Sequence, residues 1–252
     1  MRLQHLILSF VAWSMSGLST AYAQKVTPST DAYYAPTQMP PAFHENFKVL
    51  GDRLQKPGNE RVALGGTLTD SNGTVLVQIF IENGGKLRLD SPGNASRGLS
   101  FNGTSATSAS GKPSSTDDDL LESLVDDHPD TLMRAVATGT GFRLLGRRFP
   151  DGSGFCDYYD VPTPAKANSK QPRQSKRYCF DSATLLLRSV QYSAGTAAGG
   201  AILKTEFGDW RNINGQAVPS RVVRMQNSTV LFTFQAQSVT VSPKLTDNLF
   251  GP

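Results

Sequence analysis

The chain has 252 residues, 38% of them hydrophobic and 18% charged, with a formal net charge of +4. That length supports one sizeable domain, and so mild a charge balance gives no ground for a nucleic-acid partner. Two cysteines and three histidines leave little material for a metal centre.

Residues 1–23 read as an export signal. Arg2 supplies a basic start, Leu6–Leu18 is mostly apolar, and Ala21-Tyr22-Ala23 is a small-x-small cleavage site, cut after Ala23 and before Gln24. The apolar run is too short and too close to that site to span a membrane, and no transmembrane segment is expected in the mature chain. The expected location is therefore periplasmic or secreted. Residues 24–40, rich in Pro, Thr and Ser, read as a loose N-terminal arm. A single domain is expected over residues 41–252.

That domain opens with a helix. Pro41 suits a first turn, Phe43, Phe47, Leu50 and Leu54 fall on one face, and Pro57-Gly58 stops it. Strands are predicted next at Arg61–Thr69 and Thr74–Glu82, joined by the hairpin signal Asp70-Ser71-Asn72-Gly73, then at Lys86–Asp90 and Arg97–Gly103. In the second strand Val75, Val77, Ile79 and Ile81 share one apolar face, while Leu76, Gln78, Phe80 and Glu82 form a mixed one. Residues 103–116 are low in complexity and read as flexible.

Helical signals resume with Thr116 as N-cap and Asp117–Asp119 in the first turn. Leu120, Leu121, Leu124 and Val125 make one apolar stripe; after Pro129, Leu132, Met133 and Val136 make another. Seven more strands are predicted: Gly141–Phe149, Phe155–Val161, Lys176–Phe180, Thr184–Ser193, Ile202–Trp210, Ser220–Gln226 and Thr229–Val241. The fold class is α+β: an antiparallel sheet of about ten or eleven strands with short helices.

Cys156 and Cys179 lie in strand-like segments around a polar loop, in a chain addressed to an oxidising compartment, so a disulfide joining facing positions of a hairpin is expected. Catalytic signals are weak. His128, in Asp126-Asp127-His128-Pro129-Asp130, reads as a solvated corner between helices, and no nucleophile motif accompanies it. Gly139–Gly146 has neither the spacing nor the context of a phosphate loop. The basic run Lys166, Lys170, Arg173, Lys176 and Arg177 reads as a solvated hairpin tip, and the acids of 117–130 as a solvated helix face. No enzyme activity, metal or cofactor is expected. One-sided apolar strands need a cover, which leaves open a filled core or an apolar cavity beneath the helices.

The C-terminal half carries a resemblance. KRYCFDSATLLLRSVQY, TEFGDWRNINGQAVPSRVVRM and LTDNLF give a strand with a Phe-Asp pair, a D-W-x-x-I-N-G-x-x-V-P turn and a terminal D-x-L-F. The chain resembles the periplasmic lipoprotein-carrier superfamily, LolA-like proteins with RseB-type sensors as relatives, over about residues 41–250. The resemblance implies an unclosed antiparallel β half-barrel covered by a lid of short helices, and non-enzymatic binding of a lipid or the acyl part of a lipidated protein between sheet and lid. The lid side would be Leu120, Leu121, Leu124, Val125, Leu132 and Met133; the sheet side would be Val75, Val77, Ile79, Ile81, Phe232 and Phe234. The alternative is an envelope sensor or scaffold binding a protein partner through its sheet edge or groove. The best-known carriers hold their lid through a strand arginine; Arg61 and Arg88 lie on predicted strands, and the role is carried over to neither.

Overall fold

A computed structural model of the chain describes residues 41–50, 60–82, 85–94, 97–129, 131–132, 143–152, 154–162, 175–194, 200–243 and 249–250. The export signal, the N-terminal arm, Leu54, the Pro57-Gly58 stop, Met133 and Val136 lie outside these residues, as do the side chains of Phe43, His44 and Phe47. Helix α1 (Pro41–Leu50) begins on the predicted proline. Five strands follow: β1 (Glu60–Asp70), β2 (Gly73–Glu82), β3 (Lys86–Asp90), β4 (Leu99–Phe101) and β5 (Ala106–Ser108). Helix α2 (Ser115–Leu121) runs directly into a π-helical turn, Glu122–Asp126. The remaining strands are β6 (Arg143–Asp151), β7 (Gly154–Pro162), β8 (Ser175–Asp181), β9 (Leu187–Ala194), β10 (Ala201–Ile213), β11 (Gln216–Gln226) and β12 (Thr229–Pro243).

All twelve strands form one sheet, in the order β5-β4-β3-β2-β1-β12-β11-β10-β9-β8-β7-β6. Each pairing is antiparallel, and the sheet stays open at β5 and β6. The two blocks of strands meet at the β1–β12 seam, which joins the start of the domain to its end. A bulge sits in that seam at Gly65/Gly66. A Cβ on Gly66 would lie 2.1 Å from the Gln235 carbonyl oxygen, so the close approach of the two backbones admits only glycine there.

The strand count exceeds expectation by β5, which lies inside the low-complexity segment. Ala106–Ser108 is too short to show a period of two, and it forms because β4 offers it a free edge: Leu99, Ser100 and Phe101 pair with Ser108, Thr107 and Ala106. The helix cap also differs. Ser114, not Thr116, is the N-cap: its hydroxyl accepts from the Asp117 amide while Asp117 returns a bond to the Ser114 amide, a reciprocal capping box.

Alternation along β2 is as read from the sequence. Val77, Ile79 and Ile81 are buried, Val75 is half-buried, and Leu76 and Gln78 face out. The inner face of the sheet carries one continuous apolar cluster, including Leu64, Leu68, Leu87, Tyr159, Phe180, Val190, Phe207, Val222, Phe232 and Phe234. Leu50 of α1 and Leu120 and Leu124 of the helical segment join it from above. Helix α1 is tied down by Asn46, which donates to the Leu185 carbonyl at 3.0 Å and accepts from the Tyr159 hydroxyl at 3.3 Å.

Cys156 and Cys179 form a disulfide with a Cα–Cα distance of 5.3 Å. The cysteines are diagonal rather than directly opposite: Cys156 faces Asp181 and Cys179 faces Tyr158 across β7–β8.

On the outer face, Leu249 and Phe250 of the terminal D-x-L-F return to cover charge. Phe250 is buried against Arg61 and Lys86, whose cationic ends lie 5.6 and 5.9 Å from its ring centre. Beneath it Arg61 and Glu82 pair at 2.9 Å, both buried. Arg88 donates to the Leu249 carbonyl, and the Ser100 hydroxyl to that of Phe250. Phe250→Ala is expected to lower unfolding stability by about 3 kcal/mol, the low end for losing a buried Phe, because it also wets the Arg61–Glu82 pair. Chemical denaturation measures it; a loss below about 1 kcal/mol would show that the tail merely rests on the sheet.

Candidate functional site

The inner face of β11 carries Val218, Ser220, Val222 and Arg224 at alternate positions, all buried. A fully buried arginine in an apolar row needs several partners, since desolvating its charge otherwise costs several kcal/mol. Arg224 finds them on two sides. From the sheet, the Tyr192 hydroxyl on β9 and the Thr205 hydroxyl on β10 accept its hydrogen bonds at 2.6 and 3.0 Å. From the helical segment, Glu122 accepts at 2.8 Å, Asp127 at 3.2 Å and Asp119 at 3.4 Å.

Lys176 on β8 is the second buried cation of this site. Its Nζ lies 2.5 Å from Asp127, 3.7 Å from Glu122 and 4.7 Å from the centre of the Tyr192 ring. The Thr205 hydroxyl donates to Asp127 at 2.6 Å and contacts the Ser123 hydroxyl at 3.2 Å. Asp127 is therefore a hub: fully buried, it meets Lys176, Thr205 and Arg224 at once.

The π-helical turn makes this convergence possible. At 3.6 residues per turn, Glu122 and Asp127 would diverge by about 140° around an α-helix. The Asp127 amide instead bonds back five residues to the Glu122 carbonyl, at 2.7 Å. That widened turn brings both carboxylates round to the cations.

The electrostatics follow from the packing. Burial alone would lower the Arg224 pKa, but Tyr192, Asp127 and Glu122 outweigh it and the net shift is upward. Burial also pushes Asp119 up, with Arg224 only partly opposing it. Tyr192 is raised first by burial and then by Asp127 and Glu122, so it stays a neutral hydroxyl.

Several sequence expectations change here. The corner around His128 is not wholly solvated: Asp127 and His128 are buried, while Asp126 is exposed. The acids of 117–130 are not simply a wet helix face, since Asp119, Glu122 and Asp127 all reach Arg224. Lys176 belongs to a strand interior rather than a hairpin tip; Lys166, Lys170 and Arg173 lie outside the described residues. Arg61 and Arg88 are on the outer face, with Glu82 and with Asp90 and the C-terminal tail, and neither touches the helical segment in these contacts. Arg224 is the strand arginine that grips it. Its signal was in the sequence: the alternation read along β2, applied to β11, puts an arginine among valines.

Of the expected ligand-contacting residues, Leu120, Leu124, Val125 and Leu132 are buried and Leu121 half-buried against the cluster. Val77, Ile79, Ile81, Phe232 and Phe234 are buried in that cluster, with Val75 packed at its margin. Lid and sheet residues thus meet each other. A recess of about 130 Å³ sits beside them, lined by Leu68, Leu89, Leu99, Leu120 and polar neighbours such as Arg97 and Asp117. That volume is below the range, from about 300 Å³ upward, of small-molecule pockets. Asp151 lies beside Cys156 and Cys179 in a grouping suited to a metal, but the disulfide occupies both sulfurs and leaves one carboxylate.

Solved structures share this fold. A LolA superfamily protein from Nitrosomonas europaea superposes with a TM-score of 0.50 at 12% identity, covering 84% of this chain and 97% of its own. The fold is LolA-like. A DUF1329 family protein from Desulfovibrio piger matches with a TM-score of 0.51 at 10% identity, over 83% of this chain and 95% of its own. No protein-family model and no curated protein matches the sequence. No helix among the described residues is long and apolar enough to cross a membrane.

Arg224→Met is expected to cost about 3–5 kcal/mol, because Asp127 would remain buried with only Lys176 as a charged partner. Adding Asp127→Asn should recover part of that loss, and amide exchange over 115–126 should accelerate in the single variant. Additive losses in a double-mutant cycle would sink the pairing.

Proposed function

We propose that this LolA-like protein is an exported, non-enzymatic binding protein. It holds a lipid, or the acyl part of a lipidated protein, in the apolar trough between the inner face of its sheet and its helical lid. One observation carries the reading: the lid is an apolar plug fastened by a polar latch. Leu120, Leu124, Val125 and Leu132 fill the trough over Val77, Ile79, Ile81, Phe232 and Phe234, while Arg224 and Lys176 hold the lid acids. Leu121, Val75 and Met133 complete the proposed lining.

A lid fixed by leucines alone would open only against the whole hydrophobic term. An ion latch gives the closed state one register and a discrete point of release. If release costs about 4 kcal/mol, roughly one molecule in a thousand stands open, enough for a ligand to capture. The apolar surface exposed on opening matches an acyl chain. Export is supported by the disulfide, which suits an oxidising compartment.

Acyl-probe fluorescence tests the reading. Delipidated protein should bind a dansyl-labelled undecanoic acid saturably, near one per chain, and Leu124→Ala should strengthen binding several-fold by emptying part of the plug. Absent or non-saturable binding in both proteins, with no lipid extracted from protein purified from its native envelope, would refute it. A stable protein partner in that lipid-free isolate would favour the sensor or scaffold alternative.

A further inference from the structure

The latch divides its charges unevenly between sheet and lid. The sheet owns both cations, Lys176 and Arg224, together with the Tyr192 and Thr205 hydroxyls. The lid owns the carboxylates that answer them: Asp119, Glu122 and Asp127. These sheet groups are close neighbours: Thr205 and Arg224 face each other across β10–β11, and the Tyr192 ring lies 4.7 Å from the Lys176 ammonium and 5.4 Å from the Arg224 guanidinium.

Around them the inner face is apolar. Phe232 faces Arg224 across β11–β12, Val190 faces Thr205 across β9–β10, and both are fully buried. When the lid lifts, its apolar residues and its acids leave together. What remains is an apolar trough with two cations, a phenol and a threonine hydroxyl set into one end. Arg224 keeps its bonds to Tyr192 and Thr205, which belong to the sheet. Lys176 keeps only the ring of Tyr192 among these contacts. Two cations left at an apolar wall are unfavourable until an anion replaces the lid carboxylates.

We infer that the ligand is an anionic amphiphile: its acyl chain takes the place of Leu120 and Leu124, and its carboxylate or phosphate head takes the place of Asp127 and Glu122 between Arg224 and Lys176. The acidic lid is a built-in mimic of that head group. A guanidinium accepts a two-oxygen anion in a forked pair, and the ammonium adds a point charge on the other side. A neutral lipid of the same chain length leaves both cations unanswered and binds more weakly. This assignment rests on the acyl-binding reading above and sharpens it to a class of ligand.

Calorimetric titration of the delipidated protein with four probes of matched chemistry decides it. Dodecanoate and dodecyl phosphate should bind at least tenfold more tightly than dodecanol, and inorganic phosphate alone should not bind measurably. In Lys176→Met the preference for dodecanoate over dodecanol should fall to within about threefold. Equal affinity of the wild type for dodecanol and dodecanoate overturns the head-group assignment and leaves acyl binding standing. Failure of all twelve-carbon probes overturns acyl binding, and the assignment with it. Inorganic phosphate binding as tightly as dodecyl phosphate overturns the amphiphile in favour of a bare anion site. An undiminished preference in Lys176→Met places the head group elsewhere. Should that variant not fold, the wild-type ratio alone decides.

Discussion

A guanidinium with no exposed surface, held in the middle of a strand, is the constraint around which this molecule is arranged. Arg224 cannot sit in the apolar row of β11 unless carboxylates come to it, and the sheet supplies hydroxyls but no carboxylate among its contacts. The segment between β5 and β6 therefore has to cross the inner face, and its π-helical turn has to rotate two acids five residues apart onto one side. Burial of Leu120 and Leu124 follows from that crossing. The net energy of such a latch is small beside its specificity, because a well-packed hydrophobic replacement would often be at least as stable. What ions add is a single register and a discrete release, which a sliding contact of leucines does not have.

The outer face shows the same chemistry put to a static use. Arg61 and Glu82 are buried as a pair, and the cover is Phe250, with the Leu249 and Phe250 carbonyls bonded to Arg88 and Ser100. The Phe250 ring excludes water from an ion pair internal to the sheet. Removing Phe250 exposes that pair to solvent, whereas removing the helical segment separates the Arg224 and Lys176 pairs themselves. The described pairs thus differ in whether they lie within the sheet or across its boundary with the helical segment.

Most of the scaffold was legible in the sequence because strand formation is local in its signals. Hairpin turns such as Asp70–Gly73 and Asn212–Gly215 and the alternation in β2 fixed eleven segments to within a few residues. β5 was missed because its three residues owe their conformation to the edge of β4 rather than to their own pattern. The lid apolar stripe was legible at helical spacing; the latch was not. Asp127 and Lys176 look like surface residues in a charged run, and only tertiary contact turns them inward. Arg224 was the exception that a strict count of alternate positions along β11 exposes. Glu122 and Asp127 could not be placed on one face by any α-helical count, since their convergence depends on a five-residue hydrogen bond.

The rigidity of the two partners is also unequal, and this decides which of them moves. The sheet side of the latch lies on four adjacent strands, and the disulfide pins β8, which carries Lys176, to β7. The lid side lies on a seven-residue α-helix and one π-helical turn. A helix that short is not stable alone in water, even with the Ser114–Asp117 capping box to start it. Its persistence depends on the latch and on the burial of Leu120 and Leu124, so losing the latch is coupled to losing the helix. In the proposed function, opening is then a local unfolding of the lid over an unchanged sheet rather than a rigid hinge motion. A ligand that supplies both a chain and an anion would satisfy the sheet in the same two respects as the lid it displaces, which makes entry an exchange of equivalent contacts rather than the creation of a cavity.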